Sequence, residues 1–461
     1  MKLLVAQPPT AEQLRIIGER RPGVEIIRGA AGSGKTTTAL LRLKNLSDMF
    51  RHRRVRLGDP TPVQILVLTF NRTLRGFVEA LAREQATSGP GVELEVDTFA
   101  HWAWERLGQP DISDARNTIL KRLAPKHGIN VPHDFLCSEV EYILGRFPRA
   151  SLDVYLSANR TGRGSSPRIE RSMRQAILNL IAEYKGEIAG QVDWDDIAIL
   201  VGSIPKIGYD IAIIDEAQDF SANQIRAVIH HLNDEHALTL IIDTVQRLYP
   251  RGYTWPEVGI EPRPARFHRL QTNHRNTIEI ARFARGIIEG LTIDDDGTLP
   301  DLDSAVRHGS MPTVLKGNFG SQMSFSLNYI ERNIDLAGET VASLHPLGWF
   351  REIRSRLSAA GYQFEELSRE RDWPGGPVNI ALSTMHSAKG LEFDHVFILG
   401  LNAQVTQHGI EGDDHRRDTL RRLLAMAAAR ARQTLTLGYK PAEASELVSH
   451  FASGTYEEVD L

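Results

Sequence analysis

Cysteine is nearly absent from this chain of 461 residues, and Cys137 is the single example, so no disulfide can form within the chain. No apolar run approaches the roughly 18 residues that a membrane-spanning helix needs. The apolar start at residues 1–6 is interrupted by Gln7, Pro8 and Pro9, which makes it a poor secretion signal. We therefore expect a cytoplasmic protein without membrane contact. Short repeats and low-complexity tracts are also missing, which excludes repeat folds.

Neither sign of charge dominates the chain. The 54 Lys and Arg residues face 58 Asp and Glu residues, giving a formal net charge of −4. A global attraction to nucleic acid does not follow, so any basic binding surface has to be local. Hydrophobic residues make up 41% and charged residues 24% of the chain, which is ordinary for a globular protein. Because the chain is too long for one compact core, we expect two or three folding units.

A glycine-rich segment is the most informative motif. Residues 29–36 read Gly-Ala-Ala-Gly-Ser-Gly-Lys-Thr and follow a largely apolar run at 24–27. The spacing G-x-x-x-x-G-K-[ST] is typical of a P-loop, whose glycines let backbone N–H groups converge on a phosphate chain. It predicts that Lys35 reaches the β- and γ-phosphates and that the Thr36 hydroxyl binds Mg²⁺; a glycine-rich turn without a ligand is the alternative. The predicted phosphate cradle comprises Gly29, Gly32, Ser33, Gly34, Lys35 and Thr36.

Short apolar runs alternate with helix-like stretches along the chain. Buried strands are predicted at 65–68, 211–214, 238–242, 313–315, 341–343, 379–382, 396–399 and 434–437. Strands that alternate with helices indicate an α/β fold with parallel sheets. We expect two such sheets, one on each side of about residue 265. The helix-like stretch at 101–205 would be inserted into the first.

Two adjacent carboxylates follow the strand predicted at 211–214. Asp215 and Glu216 stand where a P-loop enzyme needs acids opposite its phosphates. Asp215 can hold the Mg²⁺ shell, and Glu216 can orient and deprotonate an attacking water. A solvated loop is the alternative for two acids at a strand end, but the P-loop favours the catalytic interpretation.

The string Asp-Glu-Ala-Gln-Asp at 215–219 resembles motif II of superfamily 1 DNA helicases of the UvrD/Rep/PcrA type. Segments similar to further motifs of that family follow in its order, at 9–13, 68–72, 97–101, 243–249, 273–276, 384–393 and 426–432. The resemblance implies two RecA-like, parallel-sheet P-loop domains with a helical insertion in the first. The implied division is domain 1A at 1–100 and 206–265, a 1B-like insertion at 101–205, domain 2A at 266–440 and a C-terminal tail at 441–461.

The resemblance also implies roles for side chains around ATP and DNA. Gln13 would read the adenine, and Gln246, Arg275 and Arg430 would act on the γ-phosphate with Lys35. Further nucleotide contacts would come from Thr37, His274 and Glu392, where Thr37 replaces an Arg of the family and His274 replaces an aromatic residue. Single-stranded DNA would contact Phe70, Asn71, Thr98, His101, Tyr249, Thr384 and His386. Phe99 is a further candidate for stacking on DNA, with core packing as the alternative.

The function implied is a DNA-dependent ATPase that uses ATP and Mg²⁺ to translocate 3′-to-5′ on single-stranded DNA, or to unwind tailed duplex DNA. Only about a hundred residues separate Asn276 from Asn379. We therefore expect a compact form that lacks the 2B subdomain which the family inserts there. The alternative is a nucleotide-gated regulatory subunit that binds DNA and a nuclease or other protein partner without unwinding. A generic P-loop kinase or transport ATPase is the third candidate.

Overall fold

The structure is a computed structural model that describes residues 9–29, 32–69, 75–76, 78–79, 82, 91–159, 169–243, 253–261, 263, 266–270, 272–291, 305–368, 374, 376–406 and 415–461. It is a mixed α/β fold in which the two main sheets are parallel throughout the described residues, which confirms the predicted class. No helix in these ranges is long and apolar enough to cross a membrane.

The first sheet holds six strands within the described residues, in the order β3-β2-β4-β5-β1-β6. Neighbouring strands pair in parallel. The inner strands are built from β-branched and other apolar residues, and every residue of β4 is buried. The strand bounds are β1 Gly23–Gly29, β2 Val63–Thr69, β3 Val92–Thr98, β4 Tyr209–Ile214, β5 Leu232–Asp243 and β6 Phe267–Leu270.

Helices α1 (Ala11–Ile17) and α2 (Lys35–Leu57) accompany the first sheet. The side chain of Thr10 caps α1, and the Gln13 side chain accepts the Thr10 N–H in return, so the helix begins on a capping box. Helix α2 follows β1 directly through the glycine-rich loop, and its apolar residues Leu40 and Leu43 enter the core. This strand–loop–helix order fixes where the loop stands relative to the sheet.

The described residues between β3 and β4 are mainly helical. Its helices are α3 Phe99–Arg106, α4 Arg116–Lys126, α5 His133–Arg146, a 3-10 segment Arg149–Leu156, α6 Arg171–Glu187 and α7 Trp194–Val201. Helices α4 to α6 share a core of their own. Helices α3 and α7 instead pack on the first sheet through Trp102 and Ile197. Helix α8 (Ala222–His230) lies between β4 and β5.

The second sheet holds seven strands within the described residues, in the order β11-β12-β10-β13-β14-β9-β15. The strand bounds are β9 Thr313–Lys316, β10 Val341–His345, β11 Glu365–Leu367, β12 Ile380–Thr384, β13 Phe393–Ile398, β14 Ala431–Tyr439 and β15 Glu457–Asp460. A separate pair is formed by β7 Asn273–Thr277 and β8 Ala305–Arg307. The accompanying helices are α9 Ile278–Ile288, α10 Phe319–Asn333, α11 Arg351–Ala359 and α12 His415–Ala428.

The end of the chain belongs to the second sheet. Strand β15 pairs in parallel with β9. The rings of Phe451 and Tyr456 lie 5.0 and 5.9 Å from the ring of Phe283 on α9. Residues 457–460 therefore form an edge strand of the sheet, and the contact with α9 buries aromatic surface. The division that ends domain 2A at residue 440 stays a prediction.

Candidate nucleotide and nucleic-acid site

The glycine-rich loop leaves β1 at Gly29 and enters α2 at Lys35. Gly32 and Gly34 have φ angles of 81° and 75°, in the left-handed region that glycine adopts readily. The Lys35 Nζ donates to the Gly29 carbonyl at 2.9 Å. The side chain thereby links the end of β1 to the first turn of α2, and the N–H groups of a helix N-terminus are suited to bind a phosphate.

A segment that precedes the second sheet lies directly against this loop. A Cβ atom on Gly32 would stand 2.4 Å from Asn273 Oδ1 and 2.5 Å from Arg275 Cβ. A side chain at Gly32 therefore cannot fit without displacing β7. The predicted γ-phosphate contact Arg275 is brought to the loop by this close approach, although its position in sequence is remote.

Thr36 and Asp215 contact each other at the first sheet, although they follow different strands. The Thr36 hydroxyl donates to Asp215 Oδ2 at 3.0 Å, and Asp215 directly follows β4, which is separated from β1 by β5. Burial raises the pKa of Asp215, and the neighbouring charge of Glu216 raises it further. A hydroxyl and a carboxylate are the hard oxygen donors that Mg²⁺ takes alongside phosphates and water. The pair fits the predicted metal site, and a bound cation would offset the buried negative charge.

Glu216 has an unusual backbone. Its φ of 53° lies in the left-handed region, which costs a non-glycine residue on the order of 1 kcal/mol. Gln218 Nε2 donates to Glu216 Oε2, and Lys389 Nζ lies 3.8 Å from the same oxygen. The turn thus fixes this carboxylate beside Asp215, and its role as general base stays a prediction.

Lys389 is a site residue that sequence reasoning missed. It lies in the turn between β12 and β13, is 1% exposed, and forms an ion pair with Asp219 in addition to its approach to Glu216. The second sheet therefore supplies a cation to the acidic cluster of the first. The available signal was its place in the 384–393 motif, but its partners lie about 170 residues away in sequence.

Three charged residues predicted at the nucleotide lie together. Arg275 Nη2 pairs with Glu392, and Arg430, which is 1% exposed, donates from Nη1 to the Leu391 carbonyl at 3.3 Å. Burial raises the pKa of Glu392, but the charges of Arg275, Arg432 and Arg430 outweigh it and hold this pKa below its usual value. Glu392 is therefore an anion among guanidinium groups.

Gln13 lies in α1, and its side chain contacts the glycine-rich loop. Its Nε2 donates to the Ser33 carbonyl at 3.0 Å, while its Oε1 accepts the Thr10 N–H at 2.9 Å. Thr37 is half-buried in the first turn of α2. His274 lies in β7, and its side chain is outside the described part of the structure. The adenine-reading role of Gln13 stays a prediction.

The DNA candidates that the structure describes lie at the carboxyl ends of strands in both sheets. Thr98 accepts the His101 N–H at 3.3 Å as the cap of α3, and His101 Nδ1 lies 2.5 Å from Asp97 Oδ2. In the second sheet, Thr384 Oγ1 donates to Ser387 Oγ at 2.9 Å, and the half-buried His386 shares that turn. Outside the described residues lie the other DNA candidates, Phe70, Asn71 and Tyr249, and the predicted γ-phosphate contact Gln246.

Phe99 does not have the position that DNA stacking requires. It is 5% exposed, and its ring lies 5.6 Å from Trp102 and 6.1 Å from Phe220 within the core of the first sheet. The packing alternative is therefore correct, because the ring already buries its faces among aromatic neighbours.

A cleft of about 1030 Å³ opens beside Thr98 and His101. The helical segment lines its other side with aromatic and acidic side chains, including Trp104, Trp194 and Glu141. Acidic groups repel phosphates, so the helical wall of this cleft is poorly suited to contact a DNA backbone. The walls of this cleft come from segments far apart in the chain, so residue spacing could not predict it.

Residues 364–441 match the family model of the UvrD-like helicase C-terminal domain. This chain is also similar to the crystal structure of the C-terminal domain of a possible DNA helicase from Lactobacillus plantarum WCFS1, with 23% sequence identity and a TM-score of 0.31. The alignment covers 41% of this chain and 99% of that domain. At that TM-score the likeness carries no conclusion. The comparison with curated proteins gave no match. The segment that carries Thr384, His386, Lys389, Glu392 and Arg430 is thus similar to a helicase C-terminal domain.

Proposed function

We propose that this chain is a DNA-dependent ATPase that translocates 3′-to-5′ on single-stranded DNA, with two RecA-like domains of UvrD type. Two contacts carry the proposal. Thr36 is hydrogen-bonded to Asp215, and Arg275 packs against Gly32 of the same loop. This arrangement gathers phosphate-binding, metal-binding and cationic groups at one loop. The helicase-like match over 364–441 supports DNA as the activating ligand.

Each group at the loop has a defined task in this proposal. The loop amides and Lys35 bind the phosphates, and Mg²⁺ held by Thr36 and Asp215 would neutralise the charge that develops during phosphoryl transfer. Glu216 orients the attacking water and accepts its proton. Arg275 and Arg430 spread the charge on the γ-phosphate from the side of the second sheet.

In this proposal ATP hydrolysis is coupled to DNA movement because the groups around the nucleotide belong to both halves of the chain. Arg275, Lys389, Glu392 and Arg430 belong to the second half of the chain, whereas the loop and the acids belong to the first. Loss of the γ-phosphate removes the anion that draws the two halves together. Thr98 lies on the first half and Thr384 on the second, so the two would then move relative to each other. The single strand would thereby be bound alternately by each half.

The regulatory-subunit alternative is favoured by one observation. Between β7 and β12, the described residues are accounted for by β8 to β11, α9 to α11 and the loops that join them. This leaves little chain for a separate subdomain that would hold a duplex, and the absence of 2B remains our proposal. Autonomous unwinding is therefore expected to be weak even if translocation is efficient.

The deciding experiment is steady-state ATP hydrolysis with and without single-stranded DNA. The proposal expects strong stimulation by DNA and loss of activity in Lys35→Ala. Hydrolysis that DNA leaves unchanged would favour a generic P-loop ATPase. A strand-displacement assay on a duplex with a 3′ single-stranded tail, with and without candidate nuclease partners, then separates a helicase from a regulatory subunit.

A further inference from the structure

An exposed tryptophan stands at the carboxyl edge of the second sheet. Strand β10 ends at His345, and a short loop leads from it into α11. In this loop Trp349 is 55% exposed and Leu347 is 51% exposed. An exposed aromatic ring at the edge of a sheet has a flat face available to a ligand.

The loop is held in place by the buried imidazole of His345. The rings of His345 and Trp349 stack with centroids 5.8 Å apart at an interplanar angle of 28°. His345 Nδ1 also accepts the N–H groups of Leu347 and Trp349 at 3.1 and 3.2 Å. Burial lowers the pKa of His345 to about 4, so the ring is neutral near neutral pH and can accept both bonds. Trp349 is therefore presented in a fixed orientation, which reduces the entropy lost on binding.

The tryptophan lies beside residues that the proposed function places on DNA. His345 and Thr384 are partners in the parallel register of β10 and β12. A Cβ atom on Gly348, the residue before Trp349, would stand 3.1 Å from Thr384 Cγ2. Arg351 follows two residues later and is exposed at the start of α11. An aromatic face, a hydroxyl and a cation thus share one edge of the sheet.

We propose that Trp349 is a stacking platform for one base of the single strand that lies along Thr384. This inference rests on the proposed function and names an additional contact for it. A flat aromatic side chain, supported from behind and open to solvent, can stack on any base, since every base has a π-face. The occupant is therefore a nucleobase, and the nearby Arg351 suits the phosphate attached to it.

The test is a fluorescence-anisotropy titration of a labelled single-stranded oligodeoxynucleotide with the full chain. Trp349→Ala should weaken binding by roughly tenfold, within the range for a lost base–aromatic stack. The slope of affinity against salt should not change, because Trp349 neutralises no phosphate. Trp349→Phe should retain most of the affinity. Leu347→Ala is the matched control in the same loop and should bind like the unaltered chain.

A second measurement separates stacking from loss of structure. Oligonucleotides that carry an abasic site at successive positions should bind the unaltered chain more weakly at one position, and Trp349→Ala should be insensitive to that position. The inference is overturned if Trp349→Ala binds DNA normally, or if it keeps the abasic penalty. If the unaltered chain binds no single-stranded DNA, the proposed function fails as well.

Discussion

Replacing Lys389 by Met tests the ion pair that joins the two sheets. Lys389 is 1% exposed, the side chain of its partner Asp219 is 0% exposed, and Glu216 Oε2 lies 3.8 Å from the ammonium. Removal of one partner of a buried pair leaves an uncompensated charge and costs about 3–5 kcal/mol. We expect Lys389→Met to lower the free energy of unfolding by about that amount.

The double variant Lys389→Met with Asp219→Asn identifies the cause. If the stranded carboxylate is responsible, removing its charge should restore most of the lost free energy, and the two substitutions should not be additive. Urea unfolding at neutral pH, followed by circular dichroism, gives the free energy of each variant. Strict additivity would refute the reasoning, because it would mean that the two side chains act independently.

A surface ion pair provides the matched control. Lys206 pairs with Asp234 at 3.0 Å, but the side chains are 45% and 98% exposed. Solvent screens such a pair, so Lys206→Met should cost less than about 1 kcal/mol. A comparable loss for Lys206→Met and Lys389→Met would show that removal of any lysine is responsible, and not burial.

The inner strands could be predicted because continuous apolar runs are the direct consequence of burial on both faces of a parallel sheet. The predicted strands were confirmed, with only Asn379 and Leu399 falling just outside. The strands that were not predicted are β3, β6, β7, β8, β11 and β15. The sequence of β3 alternates Glu with Val, and β15 reads Glu-Glu-Val-Asp at an exposed edge. A strand with one face in water has no continuous apolar run to reveal it.

Some residues of the candidate site could likewise be predicted from the sequence, and others could not. Local spacing was enough to predict that Lys35 and Thr36 lie at the glycine-rich loop and that Asp215 lies opposite them, since a motif encodes a turn geometry. The partners of Lys389 could not be read from spacing. An ion pair between two sheets depends on how distant strands align. Such contacts are set by tertiary packing.

Three further substitutions test the site and its support. Glu216→Gln should keep Mg·ATP bound but slow turnover by about 10²-fold or more; near-normal steady-state hydrolysis would remove Glu216 from the general-base role. Arg430→Ala should lower turnover by about 10³-fold with a smaller change in ATP affinity; normal hydrolysis there, with a loss in Arg275→Ala, would transfer the role to Arg275. His345→Asn keeps a hydrogen-bond acceptor but cannot be protonated near neutral pH. Burial lowers the pKa of His345 to about 4, so the unfolded chain binds the proton more readily. The native state should therefore be destabilised as pH falls from about 6.5 to 4, by roughly 3 kcal/mol in total. Urea unfolding at several pH values should show this loss in the unaltered chain and a smaller one in His345→Asn, and parallel losses would contradict the burial argument.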